Sequence, residues 1–193
     1  MSVTTRRRDA GGPHPLERAL GAGLLGLLAV HPFLRPEGGW ALLSTCDLAA
    51  AVTAIGLIAG WHRFIAAAFV FQLIVGLPAM ILGMVTTYHA NLSGIAVHIV
   101  PLVIGGVLVR RHGMPRGSAM IAWFGQVGSL VLAAAIAPPE LNINLATIVW
   151  PPLAGSLSLI QFQVALTAAI GVALVLCELG VRAIVGPERP SAP

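Results

Sequence analysis

Lysine is absent from this sequence, and charged residues of all kinds make up only 9% of its 193 positions. A soluble domain carries roughly 25%, so a water-exposed globular surface is excluded. Hydrocarbon takes its place: 57% of the residues are hydrophobic and the mean hydropathy is +0.90. The expected fold class is all-α, a polytopic membrane helix bundle, because a backbone in lipid must satisfy its own hydrogen bonds. The 11 basic residues are all arginine and lie scattered between apolar runs. That distribution points to topology and headgroup contact and argues against nucleic-acid binding.

Other absences narrow the chemistry. There is no phosphate-binding glycine loop, no HExxH, no CxxCH and no GxSxG, which removes the common nucleotide, zinc-peptidase, heme-attachment and serine-hydrolase signatures. No internal repeat is evident, which weakens a transporter built from inverted halves. Only two cysteines are present, Cys46 and Cys177. At about 1.5 Å per helical residue they sit roughly 8 Å and 25 Å below the same face. A disulfide allows about 7 Å between Cα atoms, so both thiols are expected to be free.

Six apolar segments are legible, at 17–34, 41–60, 64–86, 90–109, 118–137 and 157–181, each near the roughly 20 residues that a spanning helix needs. They form one expected domain over 17–185, flanked by a flexible basic segment at 1–16 and a flexible tail at 186–193. No small-x-small cleavage pattern follows the first segment, so it is read as a retained helix. Ten arginines (Arg6, Arg7, Arg8, Arg18, Arg63, Arg110, Arg111, Arg116, Arg182 and Arg189) fall on one side, against Arg35 on the other. The positive-inside rule then predicts both termini in the cytoplasm, in a membrane expected to be a bacterial inner one.

That topology gathers polar residues at the outer end. His31 ends the first helix and Cys46 and Asp47 open the second. Tyr88, His89 and Asn91 open the fourth, which carries His98 further in, and Asn142 and Asn144 lie in the long arginine-free connection. An ionisable group within a span costs at least about 2.5–3.5 kcal/mol, so Asp47 needs a partner or water. It can orient a histidine, hold a headgroup or cap its helix, for which Ser44 and Thr45 also mark a start. Cys46 is either a small packing residue or a nucleophile. His98, amid wholly apolar neighbours, is either a general base or a bundle histidine. His89 is half a turn out of phase with His98, and no ligand spacing joins His31, Asp47 and His98, so no metal and no cofactor are expected. His14, His62 and His112 flank arginines and are read as solvated or headgroup-facing. Gln72, Gln126, Gln161 and Gln163 suit interhelical hydrogen bonds, and Glu178 and Arg182 an i, i+4 pair.

The stretches "STCDLAAAVTAIGLIAG", "FVFQLIVGLPAMILGMVT", "HANLSGIAVHIVPLVIGGVLVRRHG" and "LNINLATIVWPP" resemble the YwaF-type family of integral membrane proteins. That family is similar to the eukaryotic transmembrane acyltransferases that move fatty acyl chains between ether phospholipids. The resemblance covers about residues 40–182 and rests on a Cys-Asp-Leu helix start, a later helical histidine, a basic loop and an Asn-containing segment before the last helix. It implies Cys46 and His98 as catalytic residues. It also implies membrane phospholipids as partners, while the polar outer cluster read from the topology supplies Asp47, His31, His89, Asn91 and Asn144 as the residues to bind or orient substrate. Under that reading His98 withdraws the thiol proton and Cys46 forms a thioester with a lipid acyl group. The alternatives are a non-enzymatic membrane subunit or scaffold, and a small-molecule carrier or cofactor-binding bundle.

Overall fold

The computed structural model describes residues 12–86 and 92–189, which are overwhelmingly helical; no β-strand occurs among the described residues. Helix α1 (Pro15–Val30) begins where Glu17 Oε2 accepts from His14 N and His14 Nδ1 accepts from Leu16 N. Pro15, at the first helical position, has no donor left to satisfy. The chain then passes through short 3₁₀ helices at His31–Leu34 and Gly38–Leu43 into α2 (Thr45–Ala59), which stops at Gly60 with a left-handed φ of 74°. Helix α3 (His62–Phe71) widens into a π turn at Gln72–Gly76 and continues as α4 (Leu77–Thr86). The widening has a cause: Pro78 lacks an N–H and its ring crowds the carbonyl one turn back, and a π turn relieves both. Helices α5 (Leu92–His112), α6 (Ser118–Ile136) and α7 (Leu159–Val185) complete the bundle.

Four units are long and apolar enough to cross a membrane: α3–α4 over His62–Val85, then α5, α6 and α7. By length and composition the chain is an integral membrane protein. The first two expected spans instead form helices of 16 and 15 residues. At about 1.5 Å per residue these are roughly 24 Å and 22 Å long, short of a hydrocarbon core of about 30 Å. Pro32 sits just past the end of α1, and Ser44 sets the start of α2 by accepting from Asp47 N at 3.2 Å.

Helix α3 is the centre of the bundle and packs against α2, α5 and α6. Its residues Ile65, Ala66, Ala67, Ala68, Val70 and Phe71 are buried around the whole helix, as a core helix requires. Glycines set the approach distances. A Cβ on Gly21 of α1 would lie 2.6 Å from the Ala54 carbonyl oxygen of α2, one on Gly56 2.6 Å from Ile65 Cγ1, and one on Gly105 2.7 Å from Phe69 Cβ. Helices in lipid gain little from hydrophobic exclusion and rely on this close contact. Helix α7, most of whose side chains are exposed or half-buried, joins α6 by polar bonds as well. Trp123 Nε1 donates to Thr167 O at 3.0 Å, and the Glu178 carboxylate accepts from Gly117 N at 3.0 Å and Ala119 N at 2.7 Å. Glu178 thereby caps the N-terminus of α6 with an anion, beyond its 3.9 Å pairing with Arg182.

The two ends of the bundle differ. At one end Gly60 packs on Pro13, Met114 N donates to Gly186 O and Arg189 N to His112 O. Arg63, Arg110, Arg111 and Arg116 belong to the helix ends and connection there. The opposite end carries the 3₁₀ helices, the start of α2 and the long α6–α7 connection.

The Gly21 contact yields a prediction. Gly21→Val, which forces α1 away from α2, should destabilise the protein by about 1–3 kcal/mol. Gly23→Ala, with nothing within 4 Å of the added Cβ, should be neutral or stabilising. Thermal unfolding in detergent micelles compares the two.

Candidate functional site

The start of α2 is buried at the arginine-poor end, where water cannot satisfy its free amides. Two side chains do so. Ser44 Oγ accepts from Asp47 N at 3.2 Å and donates to Asp47 Oδ2 at 2.8 Å. Asn144 reaches in from the α6–α7 connection: its Oδ1 accepts from Thr45 N at 2.8 Å, and its Nδ2 donates to Leu43 O at 2.9 Å. Beneath it Ser129 Oγ donates to Gln126 O at 3.0 Å, so the 2.6 Å contact between Thr45 Oγ1 and Ser129 Oγ has Thr45 as donor.

The connection is shaped to deliver that amide. Asn142, Asn144 and Leu145 all have positive φ, of 44°, 58° and 58°. Asparagine tolerates the left-handed region, whereas leucine there is strained. Asn142 stabilises the turn, its Oδ1 accepting from Thr147 N at 3.0 Å and Ile148 N at 2.9 Å.

Asp47 is 5% exposed and His31 3%. His31 Nε2 lies 3.6 Å from Asp47 Oδ1, an ion-pair distance longer than a hydrogen bond. Its Nδ1 is 3.0 Å from Ser93 Oγ of α5. One buried group of side chains therefore ties the ends of α1, α2 and α5 together. On its other side Asp47 borders a cavity of about 180 Å³, lined also by Arg35, Glu37, Ser44, Asn142 and Asn144. Arg35 grips Glu37 with two bonds, of 3.1 Å and 3.2 Å.

Of the residues singled out in the sequence, His31, Asp47 and Asn144 thus meet at one end. His89 and Asn91, with Tyr88, lie outside the described residues. Cys46 precedes Asp47 but points elsewhere, since successive helical residues are about 100° apart. It packs against the alanine-rich core around α3. Its carbonyl accepts from Gln72 Nε2 at 3.0 Å, and a Cβ added at Gly76 would be 3.6 Å from Cys46 Sγ. His98 Nδ1 donates to Gly94 O of its own helix at 2.8 Å. Because a carbonyl only accepts, this bond places a proton on Nδ1. Cys46 and His98 share no hydrogen bond among the described residues, and Cys46 and Cys177 are both free thiols.

Sequence reasoning passed over Arg35 and Glu37, reading the first as a topology outlier. Their signal was a lone basic–acidic pair two residues apart in an otherwise uncharged outer connection. Ser93 and Ser129 gave only a hydroxyl on an apolar helix. The glutamines divide: Gln72 bonds across helices, Gln163 Nε2 donates to Ala146 O at 2.6 Å, and Gln161 caps its own helix through Ser158.

Comparison with protein-family models, with curated proteins and with solved structures finds no match to this chain. The functional reading therefore rests on the chemistry of the pocket.

Asn144→Ala should leave buried donors and acceptors at the α2 start unpaired, at a cost of about 1–3 kcal/mol. Hydrogen exchange at the Thr45 amide should accelerate, with Asn144→Asp intermediate because it keeps the acceptor and loses the donor.

Proposed function

We propose that this integral membrane protein binds the zwitterionic headgroup of a membrane phospholipid in the cavity beside Asp47. The observation that carries this reading is a carboxylate, 5% exposed at the start of α2, that borders a polar cavity. A buried carboxylate is costly to desolvate unless it is paired, and a cationic group in the cavity would supply a partner. The lining is complementary to a headgroup of both signs: Asp47 and Glu37 suit an ammonium, and the Arg35 guanidinium suits a phosphate. Size points the same way. A cavity of about 180 Å³ falls below the roughly 300–1,000 Å³ of pockets that enclose a drug-sized ligand. It suits a headgroup whose acyl chains remain in the bilayer. With the arginine-rich end in the cytoplasm, by the positive-inside rule, the cavity opens to the outer leaflet.

Acyl transfer through Cys46 and His98, which the family resemblance implies, needs the thiol within reach of the imidazole. The Cys46 thiol packs into the core around α3 and shares no hydrogen bond with His98 among the described residues, so the geometry lends that pair no support and favours binding without a covalent step.

Two measurements test the reading. Short-chain phosphatidylethanolamine titrated onto the detergent-solubilised protein should bind, and Asp47→Asn should weaken it about tenfold or more. Phosphatidylglycerol, which lacks the ammonium, should bind less well to wild type and be insensitive to that change. Equal binding of both lipids, unaffected at Asp47, would sink the proposal. Intact-mass analysis after incubation with phospholipid vesicles should show no fatty-acyl increment. A hydroxylamine-sensitive increment lost in Cys46→Ser would replace binding with acyl transfer.

A further inference from the structure

The arginine-rich end, remote from the Asp47 cavity, holds a second cluster. Glu17 stands in the first turn of α1, His62 is the first residue of α3 and His112 the last of α5. The sequence places these two histidines among arginines as solvent- or headgroup-facing residues. In the structure they are half-buried and stacked, with ring centroids 4.2 Å apart and planes inclined by 24°. One ligand atom from each of Glu17, His62 and His112 lies within 4.8 Å of the other two. Neither imidazole has a hydrogen-bond partner among the described residues, so its ring nitrogens are uncommitted. We propose that Glu17, His62 and His112 bind a divalent transition metal of the zinc type, which fastens α1 to α3 and α5.

A point equidistant from three atoms at the 4.8 Å limit lies about 2.8 Å from each, against the ~2.1 Å of a zinc bond. An imidazole binds a metal through a lone pair in its ring plane, so the stacked rings must also rotate to aim at one ion. A cleft of about 10 Å³ borders both imidazoles and Glu188, about the space of one water-sized sphere. Three protein ligands leave a fourth position for water or for Glu188. Glu17 is held in place as ligating carboxylates usually are, because its Oε2 accepts from His14 N at 3.3 Å.

The donor set and its surroundings select the metal class. Arg18, Arg63 and Arg111 belong to this end, so a cation held chiefly by charge is disfavoured. Calcium and magnesium bind in that way, through several oxygens. Two imidazoles and one carboxylate instead make short bonds to zinc, cobalt or nickel. The consequence for the fold is specific. Helix α1 makes most of its contacts with α2, and the metal would join it directly to the central helix.

The full-length chain, purified in detergent and stripped with chelator, should be titrated with Co²⁺ as a visible probe and with Zn²⁺ by calorimetry. We expect one equivalent of each, a d–d band of tetrahedral or five-coordinate intensity, and a raised thermal midpoint. Excess Mg²⁺ should not displace the Co²⁺. His62→Gln and His112→Gln should each lower affinity by about tenfold or more, since removing a ligand costs at least what removing one of its outer hydrogen-bond partners does. Glu17→Gln covers the case in which the histidine variants fail to fold: glutamine keeps the capping bond to the His14 amide and removes the anionic ligand. It too should lower affinity about tenfold. A Co²⁺ spectrum of the free aqua ion with wild type would overturn the proposal, and so would displacement by Mg²⁺ or an affinity unchanged in Glu17→Gln.

Discussion

The constraint on which the polar end depends is that a helix cannot begin in an apolar interior with its amides unpaired. The first turn's N–H groups need acceptors, and at α2 Asn144 serves Thr45 N and Ser44 serves Asp47 N. Once Asn144 is committed to Thr45 and Leu43, the α6–α7 connection must fold down over the start of α2. That descent puts Asn142, Asn144 and Leu145 in the left-handed region and makes the connection a wall of the cavity. The same capping turn holds Asp47 between His31 on one side and the cavity on the other. A structural requirement of the backbone and a potential binding surface are thus built from one set of groups.

The second constraint is the weakness of hydrophobic exclusion between helices in lipid. Close contact must replace it, which explains why glycines stand where α1 meets α2, α2 meets α3 and α3 meets α5. Where contact alone is insufficient, at the largely exposed α7, polar bonds to α6 supplement it. Glu178 is the clearest case. Paired only with Arg182 it would be one more helical ion pair, worth a few tenths of a kcal/mol. Accepting two backbone amides of α6 as well, it locks two helices in register.

What could be read in advance follows from which physics is local. Helical content and membrane residence come from composition and run length, and both are plain in the sequence. That His31, Asp47 and Asn144 lie toward one end was legible because depth along an axis follows from residue counting, which equally put Cys46 and His98 at one depth. Azimuth does not. Cys46 and Asp47 are neighbours in sequence, yet about 100° of rotation sends one into the alanine-rich core and the other to the cavity. The first two expected spans are not confirmed as such, because near Pro32 and Ser44 the α-helix gives way to 3₁₀ turns, leaving α-helices of 16 and 15 residues. The stacking of His62 on His112 depends on two helices ending at one level, which neither segment encodes alone.

The two ends of the bundle solve opposite electrostatic problems, and the contrast bears on how each can bind. At the arginine-poor end the charged groups are few: Arg35 is paired with Glu37, and Asp47 lies 3.6 Å from the His31 imidazole. A ligand there competes with existing pairs, and inserting only one sign would leave an unpaired charge in a poorly hydrated site. A zwitterion can exchange with such pairs at little electrostatic cost. At the arginine-rich end the field is positive, and a cation gains nothing from it. Only short bonds from uncommitted ring nitrogens and one carboxylate can outweigh that repulsion, so binding there depends on ligand geometry, whereas binding at the other end depends on charge balance.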